Sequence, residues 1–179
     1  MKFNTISEIY DTNDVIREQF SSVIGTITDA EAESLPEGEK WTIAQIVEHV
    51  AMVEDSMARV CSKLLSKANA AGMSSNGSAA LSDEFVRKAM DYVHMKVEAP
   101  AVVQPTGERP IAESLAKMQE SRRRIDEIRP LFESTSGTEF KFPHPYLGEM
   151  SAQEWLALLG GHEMRHLKQI ERILESVRK

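Results

Sequence analysis

The sequence contains a single cysteine, Cys61, so no internal disulfide can form. An unpaired thiol in a chain of 179 residues points to a reducing compartment and a fold held by its core. Aromatic residues are scarce at 6%, while Glu, Lys, Ala, Leu and Met are plentiful, a balance that leans towards helix. No stretch approaches the roughly 18 consecutive apolar residues of a membrane span. The opening MKFNTISEIYDTND has no apolar segment and carries acids early, so no signal peptide is expected. Positive charge is in deficit, with 21 Lys and Arg against 28 Asp and Glu, a net charge of −7. That balance disfavours a phosphate backbone as partner. The basic run Arg122-Arg123-Arg124 is read as a solvated helix face. These absences predict a cytoplasmic protein with neither nucleic-acid nor membrane partners.

The length suits one domain over residues 1–179. Four long segments repeat their apolar residues three or four apart, the signature of an amphipathic helix. The first runs from Ile6 to Ile27, and the second from about Thr42 to Ala71. The second opens with Thr42 and Gln45 spaced as a capping box, flanked by Trp41 and Ile46 as a hydrophobic staple. Gly72 to Ser82 reads as a mobile loop, Asp83 to His94 as a short helix, and Pro100 to Pro110 as irregular chain. A third helix is expected over Ile111 to Phe132, with Pro110 at its first turn. Ser134 to Gly148 then forms a loop. The last helix runs from Ala152 to Val177 and repeats the entry signal, with Ser151 and Glu154 as the box and Met150 and Trp155 as the staple. No segment alternates like a strand. The fold expected is all-α, a four-helix bundle with an irregular insertion between its second and third long helices.

The apolar stripes of two helices are interrupted by histidine. On the last helix the stripe Trp155, Leu159, His162, His166, Ile170, Ile173 carries two imidazoles at i and i+4, about 40° apart around the axis. On the second, Ile46, His49, Val53, Met57, Val60 and Leu64 carry one more. Buried imidazoles need partners, and three from two helices suit one divalent transition metal with a position left open. Imidazole ligands fit zinc, nickel or iron(II) rather than magnesium or calcium. A lone core histidine is more often structural; the paired spacing raises the odds of a ligand set without deciding it. Cys61 lies about 18 Å along the helix from His49 and is read as a small core residue. His94 and His144 fall in or beside loops and are read as solvated.

His162-Glu163-x-x-His166 also has the spacing of a zinc protease helix, with Glu163 as base. Only 13 residues follow His166, all on the same helix, leaving no source for a downstream third ligand. A di-iron carboxylate bundle would need a second Glu-x-x-His pair, which is missing.

Several motifs resemble the DinB-like superfamily of metal-binding four-helix bundles. They are Trp41-Thr42-Ile43-Ala44-Gln45 with Glu48-His49, then His144-Pro145-Tyr146-Leu147-Gly148, Glu154-Trp155-Leu156, and His162-x-x-Arg165-His166 with Gln169. The resemblance implies a three-histidine metal site on His49, His162 and His166, binding zinc, nickel or a similar ion, in a homodimer. It also implies a small-molecule substrate, since some related proteins transfer low-molecular-weight thiols such as bacillithiol or mycothiol onto electrophiles. Arg165 would then hold an anionic group or form an ion pair with Glu163 or another acid, and Gln169 would support a ligand or be merely packed. Two other functions remain open: a metal-dependent hydrolase with Glu163 as base, and a non-catalytic metal-binding stress-response protein. Residues 72–110, without counterpart in the resemblance, form a candidate lid.

Overall fold

In a computed structural model, which describes residues 2–92, 95 and 97–179, the four long amphipathic segments form the expected bundle. Helix α1 spans Ile6–Ile24 and a single turn, α2, spans Asp29–Ala32. Helix α3 spans Ile43–Ala70, α4 spans Asp83–Tyr92 and α5 spans Ile111–Glu127. Helix α6 follows at Arg129–Ser134, and α7 runs over Ala152–Val177. Helix α3 packs against α5 and α7, and α1 against α7. Tyr10 closes the ring by donating its hydroxyl to the Ile125 carbonyl at 2.8 Å, tying α1 to α5. Among the described residues no helix is long and apolar enough to cross a membrane.

Both capping boxes form. The Thr42 and Ser151 hydroxyls accept from the backbone N–H of Gln45 and Glu154, whose side chains bond back to the cap residues. These boxes set where α3 and α7 begin, and so fix the phase of the histidines that follow.

Three expectations about helices and loops need correction. The third helix does not run unbroken to Phe132, because Pro130 cannot donate to the carbonyl of residue 126 and its ring crowds that turn. The chain turns at Ile128 and restarts as α6. The expected loop 134–148 contains a hairpin, Lys141–His144 (β1) paired antiparallel with Gly148–Ser151 (β2). Each strand has four residues and β1 includes Pro143, too short a pattern to read as alternation. The segment Gly72 to Ser82, expected to be mobile, is pinned. Gly77 O accepts from Ile6 N, Ser75 N donates to Ser134 O, and Gln153 and Glu154 side chains take the Ala80 and Ser82 amides. The short helix is present as α4; His94, at its expected end, lies outside the described residues.

The core is split into two apolar clusters. One gathers Ile9, Tyr10, Cys61, Leu65, Phe132 and Leu156; the other gathers Phe20, Ile46, Val50, Met118, Ile170 and Ile173. Cys61 is fully buried, as expected of a core residue, and burial pushes its thiol pKa up. The layer between the clusters is polar, with buried Asn13, Glu54, Ser121, His162, Glu163 and His166. The Arg122-Arg123-Arg124 run is less solvated than expected. Arg122 is largely buried and pairs with Asp14 and Asp126, Arg124 bonds Asp55 at 2.6 Å, and only Arg123 lies fully on the surface.

Candidate metal centre

His49 from α3 meets His162 and His166 from α7 inside the polar layer, with ring centroids 4.6–5.2 Å apart. One nitrogen from each ring lies within 4.8 Å of the other two. The three residues are only 4%, 7% and 7% exposed, so burial disfavours protonation of each. It pulls His166 down to about 3, His162 well below the ordinary histidine value, and His49 below it as well. Neighbouring imidazoles add to the effect at His162 and His166. Neutral imidazole is the form that ligates metal.

Two tautomers are set by bonds on the far side of the rings. The Val103 carbonyl can only accept, so His49 Nδ1 donates to it at 2.7 Å and leaves Nε2 as the lone-pair nitrogen. Gln169 Oε1 stands 3.0 Å from His166 Nδ1, while Gln169 Nε2 donates to the Glu39 carboxylate at 3.2 Å. That carboxylate accepts only, which orients the amide and makes His166 Nδ1 the donor. Arg172 holds Glu39 in place at 2.7 Å. His162 differs: its buried Nδ1 has no hydrogen-bond partner among the described residues. Three neutral imidazoles, two already oriented as in metal centres and one with an orphaned nitrogen, fit a divalent transition ion.

The insertion closes one side. Glu48, buried beside His49, accepts from the Thr106 hydroxyl at 2.8 Å and the Gly107 amide at 2.9 Å. Although burial works against its charge, these bonds and nearby Arg109 hold the carboxyl below its usual pKa. Gly107 needs to be glycine twice over. Its φ is +76°, and a Cβ there would lie 2.9 Å from Gln45 Nε2 in the α3 capping box. The Trp41 ring lies against His49, tilted at 44° with 4.9 Å between ring centres.

The two other polar residues of this stretch of α7 face different partners. Glu163 Oε1 takes the Arg17 Nε at 2.5 Å, and Arg17 also reaches Glu54 at 2.5 Å. One cation thus serves two buried carboxyl groups, and burial raises both pKa values, Glu54 to about 8. Arg165 does not pair with Glu163. Its guanidinium lies 5.2 Å from the Tyr92 ring centre and donates to the Tyr92 and Met95 carbonyls, fastening the end of α4 to α7. His144 is not solvated, which corrects that expectation. It is half-buried against Tyr92 and Trp155, accepts through Nδ1 from the Tyr146 and Leu147 amides, and is pulled down to about 4 by burial.

Sequence reasoning brought together the three histidines and Gln169, and it missed Arg17, Glu54 and Val103. Arg17 could have been found as a charge interrupting the α1 stripe between Asn13 and Phe20. Val103 contributes only a backbone carbonyl, which leaves no trace in side-chain pattern.

Comparison with known proteins agrees with this arrangement. The uncharacterized protein YuaE of Bacillus subtilis (strain 168) is 20% identical over 157 residues, covering 84% of this chain and 88% of that protein. The crystal structure of TT2238, described as a four-helix bundle protein, superposes with a TM-score of 0.60 at 25% identity. That alignment covers 93% of this chain and 98% of the other. The DinB superfamily pattern matches residues 13–170, a span that takes in the C-terminal part of α1, the whole insertion and all three histidines. With the bundle, the histidine cluster and a match across most of its length in agreement, the chain belongs to the DinB superfamily.

Proposed function

We propose that the protein holds one zinc or nickel ion on His49, His162 and His166 and transfers a low-molecular-weight thiol onto an electrophilic small molecule. The observation that carries this reading is the convergence of three buried, neutral imidazoles whose ligating atoms lie within 4.8 Å of one another. Such an ion supplies Lewis acidity that favours the deprotonated form of a thiol. The chain's own residues prepare the place. Val103 and Gln169 hold two rings in the ligating tautomer, and the Glu48 bonds to Thr106 and Gly107 keep the insertion over His49. Arg165, adjacent to His166 in sequence, secures the end of α4 to α7, and its charge acts on both His162 and His166.

The hydrolase reading needs Glu163 as a free base. The Arg17 contact on Oε1 favours a structural part for that carboxyl and counts against hydrolysis. Metal content by mass spectrometry on the wild type and on His49→Ala, His162→Ala and His166→Ala tests the site. One ion per chain, lost in each variant, is the expected result. Monochlorobimane with a panel of thiols then tests the reaction, in which a sulfur–carbon bond forms, carbon–chlorine breaks, and chloride and a proton are released. Metal-dependent turnover only with thiol supports transfer. Turnover without thiol would instead establish hydrolysis, and tight metal binding without turnover a non-catalytic protein.

A further inference from the structure

Between α4 and the middle of α7, next to the histidine cluster, lies an apolar cavity of about 180 Å3. Phe85, Val86 and Ala89 form one wall, and Leu158, Gly161 and His162 form the facing one. Gly161 lies in the interior of α7, where glycine weakens a helix relative to alanine. Its neighbour Gly160 has a packing reason, because Asn13 Oδ1 occupies the place a Cβ would take. Gly161 has none. Among the described residues a Cβ there would meet nothing within 4 Å, and the space in front of it is the cavity. His162 follows it on the same wall and carries the buried Nδ1 that has no partner among the described residues.

A glycine that keeps an apolar space open where no packing contact requires it marks a site for a ligand. Apolar cavities of about 150 Å3 stay dry and take up benzene, so this one has room for a single small ring with a substituent. We propose that the cavity binds a benzene-sized apolar group, the apolar end of the electrophile, an assignment to the electrophile that rests on the transferase reading above. Apart from Tyr92, His162 and Arg165 the lining is apolar, so most polar groups of a sugar or peptide thiol would lie unpaired against it. The cavity therefore suits the other reactant.

Toluene is the probe, tested on the full chain as purified and after chelation. Thermal unfolding and saturation-transfer NMR are the readouts. The wild type is expected to show a saturable rise in Tm and saturation transfer to the toluene ring protons. Both are lost in Gly161→Leu and in Ala89→Leu, which fill the cavity from opposite walls. Circular dichroism identifies folded variants, and either one alone suffices. No saturable effect in the wild type, or an undiminished effect in a folded variant, overturns the proposal. Binding is read without metal, so failure of the metal reading appears separately, as wild-type protein that takes up neither zinc nor nickel.

Discussion

The carbonyl of Val103 accepts a 2.7 Å hydrogen bond from His49 Nδ1 across 54 residues of sequence. It does for His49 what the Gln169 side chain, three residues away on the same helix, does for His166. A backbone oxygen from the insertion thereby selects the nitrogen that His49 turns towards the other two imidazoles.

The Gln169 support predicts a graded loss of metal. Replacing it with Leu leaves all three ligands but frees the His166 ring, and loss of such a partner weakens metal affinity about 10–100-fold. Competition with a chelating dye, comparing Gln169→Leu with Gln169→Glu, measures it. The Glu variant keeps an acceptor for Nδ1 and is expected to retain more affinity than Leu. Equal affinity in all three proteins would show that Gln169 is merely packed.

Acid should destabilise the metal-free protein early. An unfolded imidazole takes up a proton near pH 6.5, whereas folded His166 does so only at about 3 and His144 at about 4, with burial as the cause in each. Stability is therefore fully present above pH 6.5 and is lost as pH falls towards those folded values. Each histidine contributes a slope of about 1.4 kcal/mol per pH unit within its window. Urea unfolding of chelated protein from about pH 7.5 down to 4 reads the slope. Bound metal is expected to hold stability up until protons compete the ligands away.

Glu54 has the opposite sign. Its folded pKa, raised to about 8 by burial, exceeds the unfolded value, so wild-type stability falls as pH rises from about 4.5 to 8. Glu54→Gln mimics the protonated carboxyl and still offers an oxygen to Arg17. It is expected to lie within about 1 kcal/mol of wild type near pH 6 and to gain on it towards pH 8. Glu54→Ala removes the partner as well and is expected to lose about 3 kcal/mol. Chemical denaturation at the two pH values distinguishes these outcomes.

Adjacent glycines on α7 should respond oppositely to one methyl group. Gly160→Ala drives a Cβ into Asn13 Oδ1 and disturbs the bond from Asn13 to the Leu156 carbonyl, at a cost of about 1–3 kcal/mol. Gly161→Ala meets open space and improves helix propensity, gaining up to about 1 kcal/mol. Thermal unfolding of the two variants side by side measures the contrast.

What the amino-acid sequence determined by itself is local. Residues three and four apart share a helix face, so the stripes of α3 and α7 and the burial of His49, His162 and His166 follow from spacing alone. The capping boxes at Thr42 and Ser151 act within four residues, so both helix starts were legible. Four-residue strands, and a helix broken at Pro130, fall below the length at which periodicity speaks. The tertiary structure alone decided which polar groups meet. Arg17 reaches Glu54 and Glu163 across 37 and 146 residues, and Thr106 and Gly107 reach Glu48 across 58 and 59. Such pairs leave no periodic trace, because each is formed by single atoms that only the packing of separate helices brings within hydrogen-bond distance.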